Sequence, residues 1–238
     1  MLRSRQPELK AHSKKKKAPM STTYNFWHGS RRWEGEPRIH GPKKGRDGNG
    51  PGLHVTTWFD TAAEYAKQGG SVRRIVMTPR LALQDTALSL SDAMDFVTTV
   101  ITKSKQEEVM ERLMLRANNV QLHDRVLLGN DTHHVHAETL LVMCVNGNFA
   151  LGSKGEALAE FYAGQGIDWA YERARGRDEF WGVIFNPKII DSYDRVRATD
   201  IPLDQRDFPS PEQQRELAIE NLKQPSARNI WLPGDPST

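Results

Sequence analysis

The chain has 238 residues, 37% of them apolar and 26% charged, with a formal net charge of +3. That length supports one sizeable folded unit with extensions, and the composition is that of a globular protein. A single cysteine, Cys144, excludes an internal disulfide framework and a multi-cysteine zinc site, and no apolar run reaches the length of a membrane span.

The charge is unevenly spread. Residues 1–46 hold thirteen Lys/Arg against three Asp/Glu, and the remainder holds twenty against twenty-seven. Residues 1–21, with the run Lys14-Lys15-Lys16-Lys17, carry too few apolar side chains to pack and read as a disordered basic tail. No apolar stretch follows them, so they do not read as a secretory signal. Together with the cysteine count this gives an intracellular expectation. Residues 22–195 then read as one domain and 196–238 as a C-terminal extension with one helix.

Tyr24 to His28 has the aromatic content of a strand, closed by a turn at Gly29-Ser30. A Gly/Pro/Lys-rich loop, Glu36 to Pro51, follows. Gly52 to Ala66 is a strand running into a helix, with Asp60 or Thr61 placed as N-cap. Val72 to Met77 reads as a further strand. Ser91 starts a helix as its cap. Lys105 to Ala117 reads as an amphipathic helix with Val109, Leu113 and Leu115 inward. His123 to His136 is polar and ambiguous, and Glu138 to Val145 fits a buried helix or a strand, with Cys144 as a small apolar residue. Glu156 to Tyr162 is helical up to Gly164 and Gly166. Gly166 to Ala170 and Phe180 to Phe185 read as strands joined by a charged connection, Arg173 to Asp178, and stopped by Asn186-Pro187. Ser210 caps a last helix that runs from Pro211 to Lys223.

Two of these segments, taken in order, resemble a known family. His28-Gly29-Ser30 ends the first strand, and Gly52-x-His54-x-Thr56 stands on the second, with Tyr65 eleven positions beyond His54. Later come Gly166-Ile167-Asp168, Glu179 and Val183-Ile184-Phe185-Asn186-Pro187. This pattern resembles the ADP-ribosyltransferases of the diphtheria-toxin-like and poly-ADP-ribosyl branch, marked by His, Tyr and Glu. The resemblance covers about Tyr24 to Ser192 with an unmatched helical middle. His54 departs from it, standing where an earlier Tyr is usual, and Trp181 holds the place more often taken by the Glu.

The resemblance implies an α+β fold, a core of two packed small β-sheets with inserted helices. It implies NAD as co-substrate and mono-ADP-ribosyl transfer to a protein or nucleic-acid acceptor. NAD hydrolysis, NAD-dependent removal of phosphate from RNA, and a scaffold without activity are the alternatives. His28, Tyr65 and Glu179 would be the catalytic residues; His28, Gly29, Ser30, His54, Thr56 and Tyr65 would hold NAD. The chemistry suits these residue types. Breaking the bond between ribose and nicotinamide builds oxocarbenium character, which a carboxylate stabilises, and aromatic faces hold a flat ring. Asp178 and Glu138 are the reserve carboxylates. The reading requires His28 and Tyr65 to reach one cleft.

Asp131, His133, His134, His136 and Glu138 also invite a metal reading, but no third ligand is placed with His134 and His136 on one strand face, and no metal is expected. No Walker or dinucleotide glycine fingerprint is present, so NAD would not be held in the Rossmann manner.

Overall fold

A computed structural model of the chain describes residues 22–39, 50–118, 128, 131–145, 151 and 154–223. The basic run Lys14-Lys17, most of the Gly-rich loop and the segment before Asp131 lie outside the described residues, as does the tail beyond Pro225. In order, the elements are β1 (Tyr24–Ser30), β2 (Leu53–Thr56), α1 (Phe59–Ala66), β3 (Ser71–Met77), β4 (Leu81–Ala82), β5 (Ala87–Ser89), α2 (Leu90–Val100) and α3 (Lys103–Asn118). There follow β6 (His134–His136), α4 (Ala137–Val145), α5 (Gly155–Gly164), β7 (Ile167–Arg173), β8 (Phe180–Ile184), β9 (Ile190–Val196) and α6 (Pro211–Lys223). The fold is α+β. Seven strands form one mixed sheet in the order β4-β7-β8-β2-β1-β3-β9, with β4 and β7 parallel, and β5 and β6 pair separately.

One continuous seven-stranded sheet stands where a core of two packed small sheets was expected, and it is thinly joined at one place. β1 and β3 are in register over seven residue pairs, whereas β1 and β2 share only Trp27 and Thr56. The halves β4-β7-β8-β2 and β1-β3-β9 fold toward each other across this junction. In a flat sheet β7 and β1 would be three spacings, about 14 Å, apart. Yet the Trp169 ring on β7 lies 4.9 Å from Tyr24 and 5.7 Å from Phe26 on β1. Leu53, Val55, Ile75, Met77 and Ile184 complete this core between the halves. A second core packs α2 to α5 on Ile167, Ala170, Val183 and Phe185. A third joins α1 to Trp27 and Val72.

Several local expectations are corrected. α1 is capped by Trp58 rather than Asp60 or Thr61, with no hydrogen bond from the capping side chain. The cap of α2 is Ser89, whose hydroxyl accepts from Asp92 N, rather than Ser91. On α3, Val109 and Leu113 are buried but Leu115 is exposed. β9 went unread because Asp191, Asp194 and Arg195 give it a loop's composition, as suits an edge strand. The cap of α6 is reciprocal as expected: Gln213 N donates to Ser210 Oγ and Ser210 N donates to Gln213 Oε1. Helix α4 resolves the Glu138–Val145 ambiguity, and burial pushes its Cys144 thiol up to about 12, so the thiol is not a nucleophile near neutral pH.

Asp168 is the polar keystone of the β4-β7-β8 corner. Its buried carboxylate accepts from Arg80 N at 2.8 Å, Arg80 Nε at 3.0 Å, Arg80 Nη2 at 2.8 Å and Asn186 Nδ2 at 2.8 Å. Burial alone would raise its pKa, but the bonds from Arg80 and Asn186 outweigh it and hold the group below the ordinary carboxylate range. Asp168→Ala is expected to cost about 2–3 kcal/mol in chemical denaturation, since a charged acceptor is lost while Arg80 can turn to water. A depressed native pKa stabilises above the unfolded value of about 3.9 and loses that contribution as pH falls through the native value. The difference between wild type and Asp168→Ala should therefore shrink below about pH 4.

Candidate active site

Glu179 ends the β7–β8 hairpin, its carbonyl accepting from Ala174 N at 2.8 Å. The residue is 0% exposed. Its Oε1 accepts from the Thr56 hydroxyl at 2.7 Å and from the Trp181 indole N–H at 2.7 Å. Its Oε2 is buried without a hydrogen bond, 3.6 Å from Nη1 of Arg177, whose side chain is 59% exposed. Thr56 in turn accepts from Trp58 N at 3.1 Å, so the hydroxyl hydrogen is fixed on Glu179. Beneath it, the buried Thr57 hydroxyl accepts from Phe180 N at 2.9 Å, locking β2 to β8. The carboxylate is thus hydrogen-bonded on one oxygen, while the other has only the ion pair with Arg177.

The other two acids do not compete for this place. Asp178 is 86% exposed and pairs with Arg173. Glu138 is exposed in the first turn of α4, in the helical part of the molecule.

Register assigns the remaining residues to two faces. Trp27 meets Phe59 of α1 edge-on at 5.2 Å, so the Trp27/Gly29 side of β1 faces α1. Trp27 pairs with Thr56, Thr56 with Trp181 and His54 with Val183. Gly29, His54, Thr56, Trp181 and Glu179 therefore share the face that α1 covers. His54 stands exposed on β2, one same-face step, about 7 Å, from Thr56. Tyr65 projects from α1 and is 65% exposed.

His28 and Ser30 fall on the opposite face of β1. Where the β1–β2 ladder has parted, Nδ1 of His28 takes the His54 carbonyl at 2.7 Å. A carbonyl only accepts, so Nδ1 carries the hydrogen. His28 and Ser30 line a pocket of about 230 Å³ with Arg32, Trp33, Glu34, Glu36, Arg38 and Leu53, and the His28 and Trp33 rings are 5.2 Å apart. The Ser30 hydroxyl donates to the Arg32 carbonyl. Tyr65 is absent from that pocket, so His28 and Tyr65 do not line one pocket as the resemblance requires.

Two of the residues expected to hold NAD have structural neighbours as well. Thr56 positions Glu179. Gly29 lets the backbone of α1 approach: a Cβ there would stand 1.6 Å from the Ala62 carbonyl oxygen. Gly29→Ala must push α1 off β1, and about 1–3 kcal/mol of stability should be lost; a Tm unchanged from wild type would contradict that packing.

Trp181, Arg177 and Asp207 were not singled out as site residues. Trp181 was legible, since residues i and i+2 of a strand share a face. Asp207 lies far along the chain; partial burial pushes its carboxyl up, and the negative charges of Asp60 and Glu179 add to that. No metal cluster arises: His134 pairs with Asp131, His136 Nε2 donates to the Gln84 carbonyl, and no group of three or more ligating side chains occurs among the described residues. Nor is any helix among them long and apolar enough to cross a membrane. No protein-family model matches this chain, and no curated protein or solved structure matches it either.

Proposed function

We propose that the chain is an NAD-dependent mono-ADP-ribosyltransferase in which Glu179 is the carboxylate beside the reacting ribose. The observation that carries the reading is the state of that carboxylate: buried, gripped on Oε1 by Thr56 and Trp181, and lacking a hydrogen bond on Oε2. A buried polar atom that accepts no hydrogen bond costs about 1–3 kcal/mol, and such atoms call for a functional explanation. An anion held this way stabilises positive charge developing nearby, because it need not reorganise as the charge forms.

The bond from ribose C1′ to the nicotinamide nitrogen breaks, and its electron pair leaves with nicotinamide, which departs neutral. The acceptor's nucleophile bonds to C1′, and its proton passes to Glu179 or to solvent. His54, on the same face, and Tyr65, on the covering helix, are the ring-holding residues. His28 holds the junction between β1 and β2 and offers its pocket to the rest of the dinucleotide.

One observation favours a second reading, a binding protein without turnover: His28 and Tyr65 stand on opposite faces of β1. Incubation with NAD labelled in its adenylate moiety, with protein and nucleic-acid acceptors, separates the two. Label should enter a macromolecule and fail to do so with Glu179→Gln. Binding without transfer would support the second reading, and loss of transfer with Glu138→Gln alone would move the carboxylate.

A further inference from the structure

On the Asn25/Trp58 side of the Trp27–Thr56 pair, another segment takes the place of the β1–β2 ladder. Thr57 O, the next β2-side acceptor, receives Phe208 N at 2.9 Å, and Trp58 bridges to Asp207. On the β1 side, Asn25 N donates to Gln214 Oε1 at 2.7 Å and Asn25 O accepts from Gln214 Nε2 at 3.2 Å. Residues 206–214 thus satisfy both edges of the split.

We propose that Arg206–Phe208 is a displaceable strap that governs access to Glu179. The inference rests on Glu179 being the reactive carboxylate. Thr57 links the strap to the site directly, bonding Phe208 on one side and Phe180, the neighbour of Glu179, on the other. The strap is held by the Trp27 indole N–H on the Arg206 carbonyl at 2.7 Å and by Phe208 stacked on Trp27 at 4.7 Å. Its approach is lightly anchored: Pro202 to Gln205 is exposed, with Leu203 at 79%. Arg206 also lies over the Phe59 ring and donates to the Ala198 carbonyl, and Arg74 lies over Phe208. These ties come mostly from half-exposed side chains and a single backbone bond, so the segment opens more readily than the seven-pair β1–β3 ladder. Asp207, whose carboxyl the negative charge of Glu179 helps to push up, moves with the strap.

Carbodiimide-driven coupling of an amine to Glu179, quantified by peptide mass spectrometry on the full chain, tests this without any reference to NAD. Phe208→Ala removes the stack and should speed labelling of Glu179 about two- to tenfold. Unchanged labelling, in a variant whose 203–209 amides exchange faster, would overturn the strap. If that variant does not fold, the unaltered protein decides. Its Phe208 amide must exchange well ahead of the β1–β3 ladder, and exchange of both only on global unfolding rejects the proposal. Faster labelling with no nicotinamide release from NAD in either form would keep the strap and discard the transferase reading.

Discussion

Glu179→Gln is expected to cut nicotinamide release from NAD by a factor of about 10² to 10³ while leaving the protein folded. The two halves of that expectation have separate causes. An amide oxygen still accepts from Thr56 and Trp181, so the side chain stays where it is. The amide nitrogen replaces an oxygen that accepts no hydrogen bond, and the pairing it gives up is with a largely exposed Arg177, worth little in water. One buried group without a hydrogen bond replaces another, so stability should change little. What the variant loses is negative charge in a site closed to water. A fall in activity matched by a fall in Tm would mean that unfolding, not chemistry, had been measured.

Trp169→Ala is expected to lose about 3–5 kcal/mol, the largest stability effect in the molecule. Its indole is buried between the halves of the divided sheet, against Tyr24, Phe26 and the stacked Tyr171 ring 4.7 Å away. Since β1 and β2 share one residue pair, backbone bonding does little to hold the halves together. Apolar contact across the junction must do it. The loss should thus reach the site: His28 and Glu179 sit on different sides of the junction, and NAD binding should weaken along with stability. A cost under about 1 kcal/mol in urea denaturation would show that the halves do not depend on this packing.

The parts legible in the sequence were those decided locally. The aromatic first strand, the strand-to-helix change after Gly52 and the Ser210/Gln213 cap depend on near neighbours. The resemblance and the even offset from Phe185 put Glu179 ahead of Asp178 and Glu138, and of the three only Glu179 is buried. What escaped depends on distant partners. Asp207 bridges to Trp58 at the start of α1, Gln214 stands in for backbone on β1, and Asp168 gathers Arg80 and Asn186 into one corner. The two- and three-residue strands β4, β5 and β6 are too short to show a period. Leu115 looked inward because its composition fits, yet the packing of α3 is set by Val109, Leu113 and Ala117.

The most direct test of the central claim follows nicotinamide release by wild type and Glu179→Gln side by side, with calorimetric titration of NAD into each. The account predicts comparable NAD affinity in both and release about 10² to 10³ slower in the variant. No heat of binding to wild type, or equal release from both proteins, would contradict it.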